Sequence, residues 1–434
     1  MKAARFSSAF ATIIITITLG GPGALVAQEP TRTESLEAEV RRLRARLDSL
    51  ERVLERLVHE GRDTTAAVDE LARLREAAKA AAGATEKPEP GPQQSRTRDL
   101  SVLNPEISVT GDLVGSYLAP SGEGNTASAT PREFEFSFQA ALDPYTRTKI
   151  FLTREEDFEI AGFPEDTASA EEESAFEIEE AYLYWVGLPG NIGIKLGKFR
   201  QEIGLYNRWH THALFEVDRP LPTTAFLGED GLIQTGASVV LPSLTVGPST
   251  QTVTVEATIG NNDVLFDGGN QFSYLGRFQS FWETGAGTFV QFGATGVWGQ
   301  NDNEALVSRL LGLDFTFRWR PPSKALYRDL QLKGEWYFGE RDVAGTTVTA
   351  NGGYGQLNFR FGRQLIAGTR VDYVGGYPGN PSIVQIVPSL SWWQSEWVRL
   401  RLQYHYVRPE GGPGSHTMLF QVVWAVGPHK HETY

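Results

Sequence analysis

The sequence predicts an all-β transmembrane barrel of about sixteen antiparallel strands, preceded by an N-terminal α-helical coiled coil. Three observations carry this expectation. Apolar and polar side chains alternate with period two from Glu106 to Val426, aromatic pairs gather toward the ends of the alternating stretches, and leucines repeat every seven residues near the N-terminus.

The alternation is clearest where Val398, Leu400, Leu402, Tyr404 and Tyr406 fall on one side of a strand and Arg399, Arg401, Gln403 and His405 on the other. Leu357, Phe359 and Phe361 separate in the same way from Gln356, Asn358 and Arg360. One face suits lipid and the other water. A soluble β-sandwich alternates too, so the aromatics decide. Tyr404 with Tyr406, Trp392 with Trp393, Phe317 with Trp319 and Trp336 with Phe338 stand where the interfacial girdles of a barrel belong. Candidate strands run from 106–118 to 416–426, joined alternately by short turns such as Asp143-Pro144-Tyr145 and by longer loops. The short turns are expected on the periplasmic side.

Ahead of the barrel, Lys2 and Arg5 precede an apolar run from Ala9 to Leu19 and a small-residue site at Ala27, the pattern of a signal peptide over residues 1–27. Residues 28–82 are expected to form a periplasmic coiled coil and helical stalk. Leu36, Val40, Leu43, Leu47, Leu50, Leu54 and Leu57 follow at alternating spacings of four and three, which makes an a/d seam. Arg46 to Glu51 resembles the trimerisation motif of short coiled coils, so a homotrimer is expected. Three prolines in Lys87–Gln94 mark residues 83–103 as a linker, and the barrel domain takes 104–434.

No apolar run beyond the first thirty residues is long enough for a membrane helix. The absence of cysteine removes disulfides, thiolate metal sites and thiol nucleophiles together. A net charge of -13 argues against a nucleic-acid partner. No Gly-x-Ser-x-Gly elbow is present, and no enzyme and no cofactor are expected.

Asn104–Asp112, Ile194–Leu205 and Val217–Leu221 together resemble the phosphate-selective porin O/P family over about residues 100–434. Glu202 departs from that pattern, standing where proline is common. The resemblance implies a sixteen-stranded, trimeric channel in the outer membrane of a Gram-negative-type envelope, contacting lipid and passing small polar or anionic solutes. In general porins the loop after the fifth strand folds inward. Here that loop, Arg200 to Gly231, is the longest of all, and its constriction candidates are Arg200, Arg208, Arg219, Glu216 and Asp218. The expected pore-lining cations are Arg147, Lys149, Lys195, Arg318, Lys333, Arg360, Arg399 and Arg401. They are interspersed with Glu133, Glu135, Glu177, Glu179, Asp314 and Glu335, a mixture that suits small polar solutes generally.

A rival reading is a structural tether or receptor whose coiled coil contacts the periplasm or peptidoglycan, with metal or anion binding. His210 with His212 and His429 with His431 are weak metal candidates, since residues i and i+2 of an extended chain share a face. Two histidines alone do not make a site, and no metal is assigned.

Overall fold

A chain that crosses hydrocarbon on strands must pair every backbone N–H and C=O within itself, and only closure of the sheet leaves no edge. In the computed structural model of this chain that closure is complete. Described are residues 105–427, apart from 121–123, 157, 162–174, 267, 269–270, 302–305, 344–345 and 376–380. The expected signal peptide, coiled coil, stalk and linker lie outside the described residues, as do His429 and His431.

The strands are β1 (Glu106–Ala119), β2 (Thr126–Ala141), β3 (Thr146–Glu155), β4 (Glu177–Leu188), β5 (Ile192–Arg200), β6 (Ile233–Val240), β7 (Leu244–Val246), β8 (Ser249–Gly260) and β9 (Gln271–Gly285). They continue as β10 (Thr288–Gln300), β11 (Val307–Trp319), β12 (Arg328–Val343), β13 (Thr346–Phe361), β14 (Leu365–Val374), β15 (Ile383–Trp393), β16 (Val398–Pro409) and β17 (Ser415–Val426). Both β6 and the short β7 pair with β8, so the two act as one stave and the barrel has sixteen. Each stave is antiparallel to the next, and β1 closes the ring by pairing with β2 on one side and β17 on the other, Gly111 standing opposite both Phe134 and Trp424. Two helices, α1 (Leu221–Leu227) and α2 (Asp263–Phe266), lie in the connections after β5 and β8.

The register agrees with the alternation. On β16, Arg401 and Gln403 are 2% and 1% exposed whereas Leu402 between them is 46% exposed, so the polar row faces inward and the apolar row outward. Exposed aromatics mark both rims of the outer face: Trp282, Trp392 and Phe361 near the short turns, and Tyr117, Tyr274 and Trp298 near the longer connections. Tyr274 and Trp298 stack at 5.8 Å between centroids. Trp393 corrects the expected girdle. Adjacent residues of a strand point to opposite faces, and Trp393 lies inward with the Arg399 guanidinium 5.3 Å from its ring.

The short turns carry their own local signals. In the β2–β3 turn the Asp143 carboxylate accepts hydrogen bonds from the backbone N–H groups of Tyr145 and Thr146, both at 2.7 Å. The Tyr145 N–H bond in particular holds the Asp143 carboxyl below the usual carboxylate range.

A charge placed on the outward row of β16 tests the register. Leu402→Arg is expected to cost about 2–4 kcal/mol, and the same change at the end of β17, Val426→Arg, about 0–1 kcal/mol. Urea titration in lipid vesicles, followed by heat-modifiable gel mobility, measures both. Equal losses at the two positions would sink the assignment of Leu402 to the apolar band.

Candidate functional site in the barrel interior

Between β5 and β6 the chain spends residues 201–232 without entering the sheet, and their hydrogen bonds go to the inward rows of strands all round the barrel. The two ends are held together by one side chain. Asn207 donates to the carbonyls of Gln201 and Leu232 at 2.9 and 3.0 Å and accepts from the Leu232 N–H at 2.7 Å. On the β12 side the Glu335 carboxylate takes the N–H groups of Leu205 and Tyr206, at 2.5 and 3.0 Å, and the Tyr354 hydroxyl at 2.7 Å. Gly204 makes this approach feasible: its φ is 59°, and a Cβ there would meet the Glu335 carboxylate and the Tyr337 hydroxyl.

Toward β16 and β2, the same segment is tied by its carbonyls. Arg399 donates to the carbonyls of His212, at 2.5 Å, and Leu214, at 3.2 Å, and Arg401 also reaches Leu214, at 3.0 Å. Arg132 donates to the Val217 carbonyl and pairs with Asp112, while the Val217 N–H donates to Gln403 at 2.8 Å. Fully buried Arg370 joins Asp218, at 2.6 Å, to Asp372, at 2.9 Å. The segment also brings an apolar cluster: Ile203, Phe226, Leu227 and Leu232, with Leu265 and Phe266 of α2, pack on inward-facing Leu275, Val297, Leu310 and Tyr337. A wholly polar inner face, as the alternation suggests, therefore does not hold on β9–β12.

All eight expected pore-lining cations occupy inward positions of the register, but they divide by partner. Arg399 and Arg401 hold loop carbonyls. Lys195 lies 4.9 Å from the centre of the Tyr182 ring and 5.4 Å from that of Phe199. Arg318 makes a bidentate pair with Asp329, at 3.0 and 2.5 Å. Arg147 is exposed near the β2–β3 turn and Lys149 half-buried above it. Among the described residues Lys333 and Arg360, like Arg399 and Arg401, make no pair with a carboxylate, Lys333 lying 3.8 Å from the Phe215 ring centre and Arg360 donating to the Arg363 carbonyl at 3.1 Å.

Of the five constriction candidates, Arg200 pairs with Glu179 on β4 and Arg208 with Glu202 at 3.1 Å. Arg219 donates to the carbonyls of Tyr206 and Trp209 at 3.2 and 2.9 Å, inside its own segment. Glu216 accepts from Tyr206 and Gln356, and Asp218 from Arg370 and Gln403. Arg132, Asn207 and Arg370 were not singled out by the sequence. Arg370 had a signal, since Asp372 shares its inward row two residues away; Asn207 had none.

Two of the cavities that adjoin the segment differ in charge. One of about 230 Å³, toward the short turns, is lined by Arg208, Arg318, Lys333 and Arg360 against a single carboxylate, Asp329, with Trp209 and Phe215 as its apolar wall. The other, about 190 Å³ and toward the longer connections, has Arg132 and Arg219 against Glu155, Glu156, Asp218, Glu229 and Asp230. His210 and His212 lie elsewhere, buried against acidic residues of β2 and β4.

No family model matches the chain. An uncharacterized protein of Aquifex aeolicus (strain VF5) is 28% identical over 225 residues, 44% of this chain and 46% of that protein, so the match spans about half the length of the curated relative. Among solved structures, the fold is similar to an anion-selective porin from Comamonas acidovorans, with a TM-score of 0.52 at 10% identity, covering 74% of this chain and 99% of that one. Pseudomonas putida OprB aligns at a TM-score of 0.49 and 9% identity, over 77% of this chain and 96% of that one. The fold is that of a porin barrel.

The docking of residues 201–232 on β12 predicts a response at Gly204. Gly204→Val adds strain of about 1–3 kcal/mol at a positive φ and displaces the Glu335 carboxylate. Limited proteolysis should cut the variant within 201–232 while the barrel keeps its folded gel mobility. Unchanged resistance to protease would show that the Glu335 contacts do not hold the segment.

Proposed function

We propose that this protein is an outer-membrane porin, a passive diffusion channel for small polar or anionic solutes, in which residues 200–231 fold into the barrel and narrow the path. The observation that carries the reading is the cavity toward the short turns, where Arg208, Arg318, Lys333 and Arg360 face Asp329 alone. A pore selects by its diameter and by the field of the charges that line it. Fixed positive charge in a low-dielectric wall raises the local concentration of anions and repels cations.

Two of the four cations are already paired, Arg318 with Asp329 and Arg208 with Glu202. Lys333 and Arg360 therefore supply the charge that a passing solute meets. Guanidinium presents a planar fork of donors to a carboxylate or phosphate, and ammonium acts as a point charge. The anion-selective porin of similar fold and the resemblance of Ile194–Leu205 to phosphate-selective porins support an anionic solute, while carboxylates on the inner face support broad rather than single-solute passage. The leucine seam at 36–57 supports a trimer with a periplasmic stalk.

Planar-bilayer recording tests this. Deleting residues 207–219 should raise single-channel conductance, and the pair Lys333→Gln with Arg360→Gln should move the reversal potential in asymmetric salt toward cation preference. A protein that inserts folded yet passes no current would refute the channel, and unchanged selectivity in the double variant would remove the cavity from the solute path.

A further inference from the structure

Where residues 210–212 meet β2, β3 and β4, carboxylates and imidazoles crowd into a small buried volume. His210 Nδ1 lies 2.9 Å from Glu135 Oε2 and 2.8 Å from Glu179 Oε2, and its Nε2 lies 2.9 Å from Glu180 Oε1. His212 Nδ1 lies 2.8 Å from Glu133 Oε1 and 4.0 Å from Glu135 Oε2. A ring nitrogen carries at most one proton, so His210 Nδ1 cannot donate fully to both carboxylates that converge on it. Glu135 is 0% exposed, and its Oε1 has no hydrogen-bond partner.

The carboxylates of Glu133, Glu135, Glu155, Glu179 and Glu180 converge on this volume. Arg200 pairs with Glu179, and Arg132 and Arg219 line the cavity beside Glu155, but among the described residues no lysine or arginine pairs with Glu133 or Glu135. An unpaired carboxylate out of water costs several kcal/mol, whereas one shared by a bound cation does not.

The donor atoms are already gathered. Those of Glu133, Glu135 and His212 lie within 4.8 Å of one another, and so do those of Glu135, Glu179 and His210, and of Glu133, Glu155 and Glu179. We propose that this cluster is a divalent metal-ion site, suited to Zn²⁺ or a similar ion that accepts imidazole, with Glu135 common to the two histidine-containing triads. Imidazole together with carboxylate suits zinc, copper, nickel and iron, while magnesium and calcium take oxygen donors. The ion would fasten the 210–212 turn to the barrel wall on the side where β12 does not reach. The inference does not rest on the porin reading, since it concerns the anchoring of this segment and not what passes the pore.

The test uses the full chain, metal-stripped in detergent micelles, with His429→Ala and His431→Ala as background so that the C-terminal histidines contribute nothing. Calorimetric titration with Zn²⁺ should show at least one ion bound per chain at micromolar affinity or tighter, and Co²⁺ should develop visible absorption bands that Zn²⁺ removes. Glu135→Gln and His210→Gln, each checked for folded gel mobility, should each weaken Zn²⁺ binding at least tenfold. Absence of Zn²⁺ binding and of Co²⁺ bands in the background protein would overturn the site without recourse to any variant of the cluster. Binding unchanged in the two folded variants, or Ca²⁺ bound more tightly than Zn²⁺, would overturn it equally.

Discussion

Everything in this structure depends on the closed backbone ladder. Each stave spends its N–H and C=O groups on its two neighbours, and the pairing of β1 with both β2 and β17 leaves no edge to be satisfied from outside. With the backbone settled, each strand is free to present one row of side chains outward and one inward. The outer row has only to be apolar. The inner row is where the chain commits its charge, and there the protein must solve a second problem.

That problem is the pairing of charges facing a confined interior. Arg132, Arg370, Arg399 and Arg401 are all nine-tenths or more buried, as are Glu133, Glu135 and Glu335. Removing one partner of such a buried pair costs about 3–5 kcal/mol, because the other is left uncompensated. Residues 201–232 answer much of this demand from their backbone. Their carbonyls accept from Arg132, Arg399 and Arg401, and their N–H groups donate to Glu133 and Glu335. Segment and wall thus satisfy each other, and apolar packing under α1 and α2 adds to the fit.

Much of the barrel was legible because period-two alternation is a local property. The sixteen staves, the inward row of β16 and the turn at Asp143 each follow from a few consecutive residues. The unusual length of 200–231 was equally visible. Its partners were not. Glu335 lies some 130 positions from the amides it accepts, and Arg399 some 187 from the His212 carbonyl. No spacing along the chain encodes such pairs, so the loop carbonyls that Arg399 and Arg401 hold are not visible in the sequence. His210 and His212 were visible as a pair, and Glu133 with Glu135 as another, but their meeting depends on the route of a loop. Trp393 departs from the expected girdle for a simpler reason: it is adjacent to outward-facing Trp392, and neighbouring residues of a strand point to opposite faces. The seam at 36–57 lies outside the described residues, so its reading stands on sequence alone.

The tethers also shape the electrostatics of the path. Toward the longer connections the lining carries five carboxylates against two guanidinium groups, and toward the short turns four cations against one carboxylate. The charge of -13 for the whole chain is thus a poor guide to the interior, since the two signs are sorted on either side of one segment. Such sorting sets up a step in potential within a low-dielectric wall, where opposite charges act more strongly than in bulk water. Arg399 and Arg401 are held at their loop carbonyls and Arg370 between its aspartates, so little of their charge is available to a solute. On the channel reading proposed above, the preference of the path rests on Lys333 and Arg360 in the cavity toward the short turns, and on how far the segment holds the acidic side apart from them.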